Sequence, residues 1–204
     1  MTFSLHVDAD KFREHTNSVV AEYAKSGAAL VPVIKGNGYG FGRTLLAREA
    51  SALGVNQISI GTVYELEQAL LDFSGTIKVL EPFNPQDQTA NHVWTKVLTN
   101  NAARVIAVLA GNDFAAAAAV GIKSVHLEAL TSLSRFGVVQ AEMDELLFTD
   151  SHGTTVTGLH LHLPIVNAEV RHIAMLETTK ELSERKRSPQ VMEVFSWVLQ
   201  IAPH

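Results

Sequence analysis

Lys35 ends the apolar run AALVPVIK (28–35), and GNGYGFG follows it, four glycines set around Tyr39. An amine at the end of a buried strand is partly desolvated, loses its proton more readily than a surface lysine, and can attack a carbonyl carbon. The glycines do not spell a nucleotide loop. Phe41 stands where GxGxxG needs its third glycine, and Lys35 precedes the glycines instead of closing them as in GxxxxGK[ST]. A flexible strand-to-helix turn beside a surface lysine is the plainer alternative. Further on, Glu128 and Arg135 lie in VHLEALTSLSRFGV (125–138), and His160 and His162 in GLHLHLPI (158–165). Two histidines one residue apart face the same side of a strand, which is the spacing of a metal pair. No acidic third ligand accompanies them at a recognisable spacing, so no metal site is expected and His160 reads as a hydrogen-bonded core residue.

The elements that must carry these residues alternate. SLHVD (4–8) reads as a strand and 10–25 as a helix; AALVPVIK is a continuous apolar strand of the kind buried on both faces. A helix at 43–53 precedes strand 57–61. Thr62 and Glu65 have the spacing of a capping box opening the next helix. Strand 76–80, a helix at 86–94 and a short strand KVLT (96–99) follow, then a helix from Asn100 through the alanine run 115–120. Strand 123–130, a helix at 139–148 and strand 154–163 complete the pattern. Alternation at this spacing predicts parallel βαβ units, in a doubly wound sheet or a (β/α) barrel. Counting from strand 28–35 there are six units, two short of a closed TIM-type barrel.

Composition excludes several functions. With 204 residues, 47% hydrophobic and 18% charged, and a formal charge of −5, the chain has the balance of a soluble globular protein. No basic face is visible for nucleic acid; Lys180, Arg185, Lys186 and Arg187 alternate with Glu177, Glu181 and Glu184 at helical spacing. There is no cysteine, hence no disulfide, thiolate nucleophile or zinc–thiolate site. MTFSLHVDAD lacks a signal-peptide pattern, and no apolar run approaches the length of a membrane span. A cytoplasmic protein with no membrane association is expected.

At three places the residues carry a family resemblance. VIKGNGYGFG (33–42) resembles the cofactor-lysine motif of alanine racemases, usually VVKADAYGHG. VHLEALTSLSRFGV resembles the family's VHLKVDTGMGRLGF, and GLHLHLPI its GLMTHFA. The three come in family order, and the resemblance covers roughly residues 4 to 165. The resemblance implies a pyridoxal 5′-phosphate-binding barrel, here incomplete, and an amino-acid racemase interconverting L- and D-alanine or a similar small amino acid. It implies that Lys35 forms the aldimine with the cofactor and serves as one acid/base, while Tyr39 contributes to the phosphate pocket. It places Arg135 beside the cofactor's phenolic oxygen and the substrate carboxylate, and His162 in the hydrogen-bond network of the ring. Where the family has a lysine, often carbamylated, this chain has Glu128, whose carboxylate could hold Arg135 in a charge-assisted, bidentate pair. A homo-oligomer is also implied, because the family's catalytic tyrosine acts from the partner subunit.

After Pro164 the sequence becomes a charged helical tail. It shows no recognisable counterpart of the family's later phosphate-binding serine, the arginine facing the pyridine nitrogen, or that tyrosine. Residues 1–165 are therefore expected to form the racemase-like barrel domain and 166–204 a divergent helical tail. The alternatives are a non-catalytic cofactor-binding or carrier protein and an inactive racemase fragment.

Overall fold

Five apolar runs pair side by side in one wholly parallel sheet, in chain order: β1 Gln57–Ile60, β2 Thr76–Pro82, β3 Val105–Leu109, β4 Ser124–Ala129 and β5 Thr155–Leu161. The computed structural model describes residues 6–25, 27–131 and 133–162. The proposed helical tail and the domain division at residue 165 lie outside them. Between successive strands run the crossover helices α4 Leu66–Asp72, α5 Gln88–Asn101, α6 Phe114–Ala119 and α7 Gln140–Phe148; α1 Ala9–Lys25, α2 Lys35–Tyr39 and α3 Arg43–Ala52 precede the sheet. Neighbouring strands that follow one another through helices make the wall of a (β/α) barrel rather than a doubly wound sheet, whose strand order reverses midway. The expected incomplete TIM-type barrel is what the described residues form.

Three sequence expectations change. KVLT (96–99) is no strand. It belongs to α5, where Trp94, Val97 and Leu98 are buried at helical spacing, and Asp87 accepts the Ala90 N–H at 2.9 Å as the cap. The strand is instead VIAVL, β3, which had been read into a helix starting at Asn100. Its continuous apolar run fits a strand covered on both faces, and α6 begins only at Phe114. The expected strand 28–35 shrinks to a single parallel bridge, Val33 to Ser59, bounded by Ile34 N–H to Ser59 C=O and Ser59 N–H to Pro32 C=O, each at 2.8 Å. Pro32 has no N–H to extend the ladder, which limits that pairing. Of the expected first strand only residues 6–8 are described, and they belong to no strand; Asp8 Oδ1 accepts the Asp10 and Lys11 N–H groups, both at 3.1 Å, and starts α1. α1 is fastened by Arg13, which donates twice to Glu49 on α3 at 2.8 Å.

The two faces of the sheet differ in chemistry. Residues such as Ile58, Ile77, Ala107, Leu127 and Leu159 turn toward the helices and form the apolar core with Leu66, Trp94, Phe114 and Met143. Strand alternation turns their neighbours to the other face, and in register these include Ser59, Lys78, His126, Glu128 and His160, all buried. Gly158 is required there, since a Cβ on it would lie 3.1 Å from the His126 Nε2.

Lys78 is the extreme case. Its side chain is fully buried, its Nζ has no hydrogen-bond partner among the described residues, and burial lowers its pKa from 10.5 to about 7. Below pH 7 both folded and unfolded chains carry the proton, and the folded one bears the full desolvation penalty. Between pH 7 and 10.5 the unfolded chain binds more protons, so stability rises with pH. Lys78→Met is therefore expected to stabilise the protein by on the order of a few kcal/mol at neutral pH. The gain should shrink toward zero above pH 10, as read from urea-denaturation midpoints across that range.

Candidate functional site

Residues Gly36, Asn37, Gly38 and Tyr39 adopt four successive left-handed conformations, with φ of 60°, 54°, 63° and 55°. The short element α2 is thus a left-handed turn. For an L-residue with a side chain that region costs roughly 1–2 kcal/mol each, whereas glycine enters it freely and asparagine with little penalty. This explains the glycine pattern better than flexibility does. Gly38 is doubly required, since a Cβ on it would lie 2.9 Å from Leu46 Cδ1 and 3.2 Å from the Arg43 backbone nitrogen. Asn37 adds a bond of its own, its Oδ1 accepting the Arg43 N–H at 3.3 Å where α3 begins.

The turn is held from outside by Glu65. One carboxylate oxygen accepts the Gly36 N–H at 3.2 Å, and the other accepts the Gly61 N–H at 2.9 Å. The Arg43 guanidinium stands 4.0 Å away. The expected capping box is consequently not formed: Thr62 makes no cap bond, and Glu65 is committed to the Lys35 turn. Gly61 allows close approach, because a Cβ there would lie 3.1 Å from Lys35 Cβ. Lys35 is partly buried above the fully buried Ile34, and Tyr39 is half exposed. Burial pushes the Tyr39 phenol up from its usual range, and the Glu65 carboxylate adds to that.

The second group sits at the carboxyl ends of β4 and β5. Arg135 Nη1 donates to His162 Nε2 at 3.1 Å, and His162 Nδ1 lies 3.2 Å from Glu128 Oε1. Because the guanidinium can only donate, Nε2 must accept, and the imidazole proton resides on Nδ1, facing the carboxylate. Glu128 was expected to grip Arg135 directly; the structure inserts His162 between them. The loop carrying Arg135 folds back on β4 through a bridge from Ala129 to Val138, with Leu130 N–H to Val138 C=O at 2.9 Å and Val138 N–H to Glu128 C=O at 3.0 Å. Gly137, at φ 107°, makes this return possible; a Cβ there would lie 2.6 Å from the Ala129 carbonyl carbon. Thr131 Oγ1 donates to the His162 carbonyl, closing the loop against β5.

His160 departs from expectation. It is buried, its ring is tilted 55° against His162 with centroids 4.8 Å apart, and its Nδ1, 3.9 Å from Glu128 Oε2, has no hydrogen-bond partner among the described residues. Burial first, then the Lys78 charge, holds both His160 and His126 neutral; the His126 pKa falls to about 3. Lys35 and Tyr39 lie by the β1 edge, while Arg135 and His162 lie by β4 and β5, with β2 and β3 between. All the strands being parallel, the two groups share the carboxyl-end rim, where (β/α) folds place their chemistry. Sequence reading missed the clamp by Glu65 and the buried Lys78 and His126. A lysine inside the apolar run TIKVL was the one available signal for the last two.

The clamp can be tested by hydrogen exchange. Glu65→Ala leaves two backbone donors without their acceptor, at a cost of about 1–3 kcal/mol each where they are shielded from water. The Gly36 and Gly61 amides should lose protection by 10-fold or more, on the order expected from that cost, with Glu65→Gln falling between. Unchanged protection in the alanine variant would remove Glu65 from this role.

No curated protein matches this sequence. The family model described as alanine racemase, N-terminal domain, matches residues 7–195. Among solved structures, alanine racemase from D-cycloserine-producing Streptomyces lavendulae is 23% identical with a TM-score of 0.66, covering 90% of this chain and 50% of that one. The enzyme from E. faecalis is 17% identical at a TM-score of 0.64, covering 87% and 50%. That from Bartonella henselae, solved with covalently bound pyridoxal phosphate, is 14% identical at 0.66, covering 89% and 54%. The chain thus spans about half the length of these solved relatives. A parallel barrel wall with a lysine turn at its rim, matched by the family model over most of the sequence, makes this chain a member of the alanine racemase N-terminal domain family.

Proposed function

We propose that this chain binds pyridoxal 5′-phosphate through Lys35 and acts as an amino-acid racemase on alanine or a similar small amino acid. The observation that carries the reading is the left-handed turn, which fixes Lys35 at the end of the first extended segment and is clamped by Glu65. The donor set at the rim suits the cofactor: one amine, one phenol, and a guanidinium backed by an imidazole and a carboxylate. When bound, the cofactor supplies an electron sink that acidifies the substrate's α-hydrogen.

The residues divide the remaining work. Lys35 offers its amine to the cofactor's aldehyde carbon and carries a proton at the substrate α-carbon. Tyr39 donates its hydroxyl toward the phosphate group, with the Gly36–Gly42 turn keeping the approach open. Arg135 presents positive charge to the phenolic oxygen and to the substrate carboxylate. His162 fixes one guanidinium nitrogen by accepting from it, and Glu128 stabilises the tautomer that can accept, the way an outer carboxylate orients an imidazole elsewhere. Further copies of the chain belong to this reading as partners, as does a cytoplasmic location; among the described residues no helix is long and apolar enough to cross a membrane.

A second reading is a non-catalytic binding protein that holds the same cofactor through Lys35 without turnover. Two measurements decide. Added pyridoxal 5′-phosphate should produce a visible absorbance band, and borohydride should fix one adduct on the peptide containing Lys35; Lys35→Ala should abolish both. Absence of a Lys35 adduct would end both readings. A wild-type chain that exchanges the α-hydrogen of L-alanine in deuterated water is a racemase. One that forms the adduct without exchange is a binding protein.

A further inference from the structure

Glu128, His160 and His162 each direct a ligand-type atom into one small space. Those atoms lie within 4.8 Å of one another, and all three residues are buried. The carboxylate comes from β4 and the imidazoles from β5, with Glu128 in register opposite His160. This is the acidic third ligand that sequence spacing did not reveal, because it arrives from a neighbouring strand 32 and 34 positions away from the histidines. Glu128 Oε1 is 3.2 Å from His162 Nδ1, and Glu128 Oε2 is 3.9 Å from His160 Nδ1. Donors bound tetrahedrally at the usual zinc distances of about 2.0–2.1 Å lie roughly 3.3 Å apart, so the widest pair, within 4.8 Å here, would close by up to about 1.5 Å. Two of the atoms also have no hydrogen-bond partner among the described residues, Glu128 Oε2 and His160 Nδ1, although their residues are 0% and 1% exposed. Buried polar atoms of this kind are rare unless something satisfies them.

We propose that Glu128, His160 and His162 form a binding site for one zinc-class divalent metal ion, filled in alternation with the docking of Arg135. The alternation follows from the lone pairs of one imidazole. With Arg135 docked, His162 Nε2 accepts from the guanidinium and Nδ1 carries the proton. A metal ion at Nδ1 requires that proton on Nε2, where it would face the Arg135 N–H donors. Arg135 must then leave. Two imidazoles and one carboxylate make the three-ligand set that leaves a fourth position open to water. Among the described residues Lys78, from β2 across the sheet face, and Arg135 are the cationic groups that act on the cluster, and they temper affinity without removing the donors.

The test uses the full chain free of cofactor, so its outcome is independent of the Lys35 reading. Co2+ and Zn2+ are titrated in turn, by visible absorbance and by calorimetry. One ion per chain is expected, with the intense visible bands of tetrahedral cobalt. Glu128→Gln and His160→Met should each weaken binding by on the order of 100-fold, the loss of a ligand being at least as severe as that of its supporting contact. Arg135→Gln, an exposed position that leaves the cluster whole, should tighten binding several-fold by removing the competitor. Absence of saturable binding would overturn the site, as would binding indifferent to both ligand variants, which would place the ion on surface histidines such as His152. Binding unchanged in Arg135→Gln would overturn the alternation.

Discussion

The left-handed turn after Lys35 is closed by its own backbone bonds, among them Gly38 N–H to Ile34 C=O and Gly42 N–H to Asn37 C=O, and the Glu65 carboxylate is what ties it to the sheet. Its two oxygens reach the amide of Gly36, inside the turn, and that of Gly61, at the end of β1. The turn and the sheet rim are thereby tied as one body, and the position of Lys35 follows from the sheet instead of from a free loop. The same bonds explain why the usual rules of helix initiation fail at Thr62. A glutamate three residues after a threonine can reach back to its own helix, but here two backbone donors outside the helix compete for it. Charge-assisted bonds to backbone N–H groups are stronger than neutral ones, and the carboxylate satisfies two donors at once.

The sheet departs from an ordinary α/β core on its second face. One face meets the helices with aliphatic and aromatic side chains, and it accounts for the stability of the wall. The other face carries Ser59, Lys78, His126, Glu128 and His160 in register, each with a polar atom that has no partner among the described residues. Each such atom costs on the order of 1–3 kcal/mol relative to a satisfied one. A sequence selected for stability alone would place valine or leucine there. Retaining lysine, glutamate and two histidines on one buried face is the pattern of a site, where local stability is traded for chemistry.

The sequence disclosed much of this, and its failures have physical causes. VIKGNGYGFG was legible through its resemblance to the family's lysine motif; its left-handed backbone was not read, although Gly36, Asn37 and Gly38 are the residue types that enter that region at low cost. Parallel βα alternation was equally legible, since each strand is a continuous apolar run. KVLT misled because four residues of a helix and of a strand look alike without their neighbours; Trp94, Val97 and Leu98 together carry the helical spacing that KVLT alone conceals. Strand 28–35 was overestimated because apolarity says a segment is buried but not that a partner strand can bond to it past Pro32. Glu128 and His162 were found separately, and their meeting was not, because pairing between adjacent strands depends on register. No local pattern reports that register, which here includes a bulge between Val125 and His126.

His162 is where these strands of argument meet. As a neutral imidazole it has one donor and one acceptor, and Arg135 uses the acceptor while Glu128 uses the donor. That allocation makes the orientation of Arg135 depend on the carboxylate behind it, although the two never touch directly. The His162 ring spans the gap between the Glu128 carboxylate and the Arg135 guanidinium. The same allocation leaves no spare lone pair on His162, so any further ligand at Nδ1 has to displace the arginine. Charge at the rim and occupancy of the buried cluster are therefore coupled through a single proton position, a consequence of imidazole chemistry and of the distance between β4 and β5.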